Sequence, residues 1–372
     1  MSHHTCNREG YACLVRFRMK GTRRRPYSNY HWTSRLDIHL FQLNVLARRL
    51  ATIAAAGLVA SLWPSTVSAH VDAVVTPDNV WRTWNVDPFI LLPLVVSGAL
   101  YAAGVRKIWD HGGQGRGVSR WQAASFAAGM LALLIALVSP LDPLGGALFT
   151  AHMVQHLVLM LVAAPLLVYA SPLAPMMVAM PRSLRSRAGS VMSVRPVRTI
   201  FGAVRNPLVV WSLQAVVLWM WHIPSLYDAA LSSQRVHAAE HIAFLSTAGL
   251  FWWTLIQPHG RRVLGLGTGV IFVFTAGVQS SALGALLTFA PTLWYEGHQP
   301  FVAAWNTTAL QDQQLAGLLM WVPAGVVYLL AALATFAVWM QSIDPPEVVR
   351  APATRVLDSG AETDRSHSSR SD

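Results

Sequence analysis

The sequence is poor in charge. Of its 372 residues, 12% are Asp, Glu, Lys or Arg and 53% are hydrophobic, whereas an ordinary soluble domain carries about 25% charged residues. Cysteine is nearly missing: Cys6 and Cys13 are the two, both close to the start. A disulfide framework and a thiolate metal site are thereby excluded for the body of the chain. A continuous basic face is missing as well. The formal net charge of +11 would suit a nucleic-acid binder, but the arginines fall in the N-terminal region and in alternate loops, so no nucleic-acid partner is expected.

What is present is apolar sequence in lengths that suit a bilayer. Stretches at 88–108, 121–139, 152–170, 207–222, 237–257, 268–290 and 314–340 are mostly apolar. About 20 helical residues at 1.5 Å each cross roughly 30 Å of hydrocarbon. The expected fold is all-α, a polytopic integral membrane bundle of seven transmembrane helices. An eighth apolar run at 50–63 follows Arg48 and Arg49 and ends in Val67-Ser68-Ala69, which is the pattern of a signal peptide, or of an uncleaved signal anchor. The division expected is 1–69 as N-terminal extension and signal sequence, 70–341 as membrane domain, and 342–372 as a polar, disordered tail.

Loop charge then orients the bundle. One loop holds Arg106, Lys107, Arg116 and Arg120, and another holds six arginines from Arg182 to Arg205. A third holds Arg261 and Arg262, while the intervening loops at 140–151, 223–236 and 291–313 contain one arginine, Arg235. Basic loops stay inside, so the mature N-terminus is expected outside and the C-terminus in the cytoplasm of a bacterial cell.

This threading gives each histidine a depth. His152 and His156 open the third span at its outer end in "AHMVQHLVLM", His222 closes the fourth in "LWMWHIP", and His237 and His241 open the fifth. His298, and Asp312 with Gln313 and Gln314, share that side, as would His70 after signal cleavage. Polar groups in hydrocarbon are costly unless they pair or bind something, so such histidines are functional candidates. Residues i and i+4 on a helix share one face about 5–6 Å apart, within reach of one metal ion. Both pairs have that spacing. Met160 continues the first stripe by four, and Met320 continues from Asp312 by eight. Histidine with methionine and without cysteine suits copper.

The residues leave other readings open. "HAAEH" at 237–241 is His-x-x-Glu-His, a zinc-peptidase pattern in which Glu240 would activate water. Paired histidines also suggest a haem-binding electron carrier, and polar residues a transporter. Against a transporter, the lower halves of the spans are nearly barren, with no acidic residue and no Lys or Arg apart from Arg106 and Lys107 at the inner end of the first. Methionine also fills irregular gaps, so Met160 and Met320 are packing residues on the plainer view. Pro165 and Pro323 are expected to kink their helices. "TAGVQSSALGALLTFAP" in the sixth span allows close helix approach, with Gln279, Ser280 and Ser281 bonding between helices.

Four motifs in order carry a family resemblance: "HMVQHLVLMLVAAPLLVYASPL" at 152–173, "WHIPSLYDAAL" at 221–231, "HAAEHIAFLSTAGLFWW" at 237–253 and "DQQLAGLLMW" at 312–321. Over about 88–340 the chain resembles the CtaG family of bacterial cytochrome c oxidase assembly factors. The resemblance implies a multi-pass plasma-membrane protein, not an enzyme, that helps copper reach a haem-copper oxidase of the caa type. Its implied partners are membrane lipid, subunits of a cytochrome c oxidase and periplasmic copper chaperones. An unrelated single-span copper chaperone of the same name uses cysteines, and this chain has no such pair. The motif positions are His152, His156, His222, His237, Glu240, His241 and Asp312. The expected metal ligands are His152, His156, His237 and His241, with His222 and Asp312 as further candidates. Glu240 and Met160 are expected to stand behind them.

Overall fold

The computed structural model describes residues 75–257 and 264–343, and among these every regular element is helical. The expected signal sequence, His70, both cysteines, Pro258, Arg261, Arg262 and the polar tail beyond 343 lie outside the described residues. In chain order the helices are α1 Pro88–Gly112, α2 Arg120–Leu137, α3 Leu141–Ala147 and α4 Phe149–Leu157. A π-helical turn, Val158–Ala163, joins α4 to α5 Ala164–Ala170. Then come α6 Leu173–Ala179, α7 Arg182–Ser193, α8 Arg195–Ala203, α9 Pro207–Trp221, α10 Pro224–Ser232, α11 Gln234–Ile256, α12 Leu266–Thr288 and α13 Ala309–Ile343.

Local chemistry sets several of the starts. Asp87 accepts from Phe89 N at 2.8 Å with Pro88 at the first helical position, and Asn206 does the same for α9 ahead of Pro207. Ser119 and Gln122 form a reciprocal capping box at the start of α2.

Each of the seven apolar stretches is helical, and five helical segments are long and apolar enough to cross a membrane: α1, α2 together with α3, α4 through α5, α12 and α13. The two others differ for visible reasons. Helix α9 has 15 residues, about 22 Å at 1.5 Å per residue, and meets α8 at an 86° bend. Helix α11 has 23 residues but begins with polar groups. Large side chains such as Leu329, Leu330, Leu333, Ile271, Phe274 and Val216 face outward, as lipid contact requires and water would penalise.

Small residues bring α12 and α13 together, as the composition of the sixth span leads one to expect. A Cβ on Gly284 would lie 2.8 Å from Gly317 O, and one on Gly317 would lie 2.6 Å from Thr288 N, so neither position has room for a methyl group. Gln279 Oε1 accepts from Trp219 Nε1 at 2.8 Å, tying α12 to α9. The middle of the bundle is aromatic and apolar: Phe251 stacks on Phe272 with centroids 4.7 Å apart, and Trp252 lies parallel to Tyr328.

The third span is interrupted by the π turn, which ends just before Pro165. Proline has no N–H and forces the preceding turn to rearrange its carbonyls. One of those carbonyls, that of Met160, accepts from Trp252 Nε1 of α11 at 2.8 Å, and just past the proline the carbonyl of Leu166 accepts from Ser125 Oγ of α2 at 2.8 Å. The interruption thus docks the third span onto both neighbours.

Candidate metal centre

Helices α4 and α11 lay their histidine faces against each other. On α4, His152 and His156 stand one turn apart with ring centroids 4.4 Å from each other. On α11, His237, Glu240 and His241 share a face, and the His237 and His241 rings are 4.2 Å apart. Across the gap, His152 meets His237 at 5.2 Å and His156 meets His241 at 5.3 Å. Glu240 lies between the histidines of α4: its Oε2 is 3.6 Å from His152 Nε2 and its Oε1 is 3.8 Å from His156 Nε2.

The cluster is buried and unsatisfied. His152, His156, Glu240 and His241 are each at most 9% exposed, and His237 is half-buried. Both nitrogens of His152 and of His156, Nε2 of His222, His237 and His241, and Oε2 of Glu240 all lack a hydrogen-bond partner. Buried polar atoms are ordinarily paired, and leaving one unpaired costs about 1–3 kcal/mol. Seven of these eight atoms belong to His152, His156, His237, His241 and Glu240, and they ask for a ligand that can satisfy several at once. Ligand atoms of His152, His156, His237 and Glu240 all lie within 4.8 Å of one another. Two donors bound to one ion at roughly 2.0–2.2 Å are at most about 4.4 Å apart, so small side-chain adjustments close the set.

A second trio shares His237. Asp142, His237 and His241 also have ligand atoms within 4.8 Å of one another. Asp142, at the start of α3, accepts from Asn85 Nδ2 and from Gln155 Nε2, both at 2.7 Å. Gln155, fully buried on α4, also donates to Ala136 O at 2.7 Å. Helix α3 comes this near because position 145 is glycine. A Cβ there would stand 3.2 Å from Gln155 Oε1 and 3.3 Å from His152 Cα.

Of the expected ligands, His152, His156, His237 and His241 are brought together, and Glu240 stands among them rather than behind them. Asp312 is placed elsewhere. Its carboxylate caps α4, accepting from Phe149 N at 2.6 Å through Oδ2 and from Thr150 N at 3.1 Å through Oδ1. An anion at a helix N-terminus is favoured by the aligned peptide dipoles, and both oxygens are engaged there. Its neighbours have similar work: Gln313 accepts from Trp294 N at 2.7 Å, and Gln314 donates to Ala290 O at 3.0 Å.

His222 closes α9 one layer away. Its Nδ1 donates to Leu218 O at 2.7 Å, while Nε2 is unpartnered. It and His156 line a cavity of about 20 Å³ together with Met153, Met160, Met320 and Phe244. Met160 therefore stands beneath the histidine pair and not beside it.

A loop roofs the cluster. Tyr295 donates to His222 O at 2.6 Å, and Tyr227 of α10 donates to His298 Nε2 at 2.5 Å. His298 is 1% exposed; burial, aided by nearby His152, pushes its pKa down to about 4. Burial pushes the Tyr227 phenol well above its usual range, so it remains a donor to the neutral ring. Asp142, Gln155 and the Tyr227–His298 pair are site features that local sequence spacing does not announce. Their one sequence signal is that polar side chains stand in otherwise apolar runs.

The family model described as cytochrome c oxidase caa3 assembly factor (Caa3_CtaG) matches residues 99–342. Two uncharacterised mycobacterial proteins are similar in sequence. One, from Mycobacterium leprae, is 22% identical over 280 residues, which is 71% of this chain and 41% of that protein. The other, from Mycobacterium bovis, is 23% identical over 286 residues, 73% of this chain and 42% of that protein. The chain thus covers less than half the length of these relatives. No solved structure matches it.

Proposed function

The chain belongs to the cytochrome c oxidase caa3 assembly factor family, and on that premise we propose that it takes up copper at the histidine–glutamate cluster and holds it for a haem-copper oxidase under assembly. The observation that carries this reading is the unsatisfied cluster itself, with imidazole nitrogens and one carboxylate converging from two helices. Three imidazoles and a carboxylate suit a borderline or soft divalent ion, and the single buried carboxylate offsets part of its charge. Copper is cargo here, not a resident catalyst. A cargo site needs ligands that release, and a half-buried His237 gives it an exchangeable edge.

In this reading the chain spans the bacterial plasma membrane seven times, with α9 and α11 completing the five longer spans. The short α9 is accommodated by bilayer thinning, a cost of fractions of a kcal/mol per Å. Basic loops lie inside and the cluster lies in the outer leaflet, where periplasmic copper chaperones and oxidase subunits can reach it. The experiment is metal analysis of purified protein after loading with Cu(II) in the absence of reductant, wild type against His152→Ala/His156→Ala. About one copper per chain in the wild type and little in the variant is the expected result; equal copper in both removes the site.

One observation favours a second reading. Asp142 gives the His237-x-x-Glu240-His241 motif the third ligand that a zinc peptidase needs, with Glu240 as base. Replacing Glu240 by Gln separates the two, since a peptidase loses all turnover while metal uptake is only weakened. A haem carrier finds no such support: the histidine rings touch one another, with centroids 4.2–5.3 Å apart, and leave no slot for a porphyrin between them.

A further inference from the structure

Beneath the histidine–glutamate cluster the third span, α9 and α13 enclose a second set of donors of different character. The cavity of about 20 Å³ is lined by Met153, Met160, Met320, His156 and His222 among apolar side chains. Three methionines and two histidines from the third span, α13 and the end of α9 line one small space. Its volume exceeds the roughly 10–15 Å³ that a single water needs, so one small occupant fits.

Packing explains the methionines but not His222. That ring is 7% exposed, its Nδ1–H is fixed on Leu218 O at 2.7 Å, and its Nε2 has no partner. The bond at Nδ1 sets the tautomer, which leaves Nε2 as a bare lone pair in an apolar wall. His156, 4% exposed, likewise has no partner at either nitrogen. Lone pairs of nitrogen and sulfur, with no carboxylate among the lining residues, are what a soft ion of single charge uses. A divalent ion would be left with its charge uncompensated in hydrocarbon.

We propose that this cavity is a second metal site, specific for a monovalent soft cation such as Cu(I), with Met160, Met320 and His222 as its ligands and His156 as the wall it shares with the cluster above. The inference rests on the reading that the cluster takes up copper. It adds a lower site that differs in ligand softness and in the charge it tolerates. A cation enters this site already monovalent, so no electron transfer is involved.

The test uses the full-length protein in detergent, with Ag(I) as the monovalent probe and Zn(II) as the divalent one. Bound metal is counted after equilibrium dialysis, and thermal unfolding is followed in parallel. The wild type is expected to hold both ions together. Met160→Leu/Met320→Leu, a nearly volume-conserving change, is expected to weaken Ag(I) at least tenfold with Zn(II) unchanged, as is His222→Phe. His152→Ala/His237→Ala is expected to lose Zn(II) and keep Ag(I). Wild-type Ag(I) affinity in the methionine double variant overturns the proposal, and so does displacement of Ag(I) by one equivalent of Zn(II) in the wild type. A wild type that takes Ag(I) but neither Zn(II) nor Cu(II) overturns the reading of the upper cluster and leaves the lower site standing.

Discussion

The two halves of α11 differ in how they treat buried polarity. In the second half every buried polar side chain has a partner: Thr247 donates to Ala243 O at 2.8 Å, Thr254 to Leu250 O at 2.9 Å and Trp252 to Met160 O at 2.8 Å. In the first half His237, Glu240 and His241 each leave a ring nitrogen or a carboxylate oxygen unpaired. The same helix, in the same bundle, thus satisfies its polar groups where they serve the fold and leaves them open where they face α4. Incomplete pairing in one region beside complete pairing in the next is a signature of a ligand site, because a structure that could close the hydrogen bonds would be more stable for doing so.

The largest test of that contrast exchanges lesions between the halves. His152→Ala/His156→Ala is expected to lower bound Cu(II) at least tenfold while circular dichroism and unfolding temperature stay near wild type. Phe251→Ala, in the paired half, is expected to cost roughly 3 kcal/mol from the cavity it leaves and to keep its copper. If the histidine variant unfolds and the phenylalanine variant loses metal, the division of labour is wrong. Next in size is Glu240→Gln, which keeps shape and removes charge. A copper affinity lowered by about 10–100-fold is expected, measured by competition with a chromophoric chelator.

Asp312→Asn probes a residue that stands at the open end but works like the paired one. It removes one acceptor from the α4 N-terminus and turns an amide toward a backbone N–H, so a loss of about 2 kcal/mol is expected with copper stoichiometry intact. Smallest is the pH response of the roof. His298 is held neutral with a pKa of about 4, below the ordinary value near 6.5, so the unfolded chain binds a proton more readily. The stabilisation is fully present above pH 6.5 and is lost as pH falls toward 4. At pH 5.5 the loss is about 1.4 kcal/mol. Replacing His298 by Gln is expected to flatten the unfolding profile between those limits; a slope that survives belongs to other groups.

The sequence made the helices and the histidine stripes legible, because both are local signals with a fixed period. Each apolar stretch became a helix, and the spacing of His152 and His156, or of His237 and His241, already implied one face. Partnership was not legible. Asp312 looks like a ligand because it precedes a span on the same side as the histidines, but the carboxylate is taken up by two backbone N–H groups 162 and 163 residues away. Asp142 stands in a short segment that reads as a loop and forms helix α3. Its approach to His237 depends on Gly145 lying against α4, a tertiary fact. The count of seven strongly apolar spans also blurred where α9 was shortened and α11 carried its polar groups into the bundle.

The π turn at Val158–Ala163 has a bearing on alignment. In an uninterrupted α-helix four residues advance about 400°, so a column of side chains spaced by four drifts by roughly 40° at each step. Starting from His152, the second step would carry Met160 about 80° around the axis. A π turn holds more residues per turn and cancels part of that drift at the place where Met160 must stay in line with His156. Removing one residue from this turn, for instance the outward-facing Val162, would restore the ordinary pitch and swing the thioether away from the imidazole above it. The column of nitrogen over sulfur is therefore a property of the backbone as much as of the four-residue spacing.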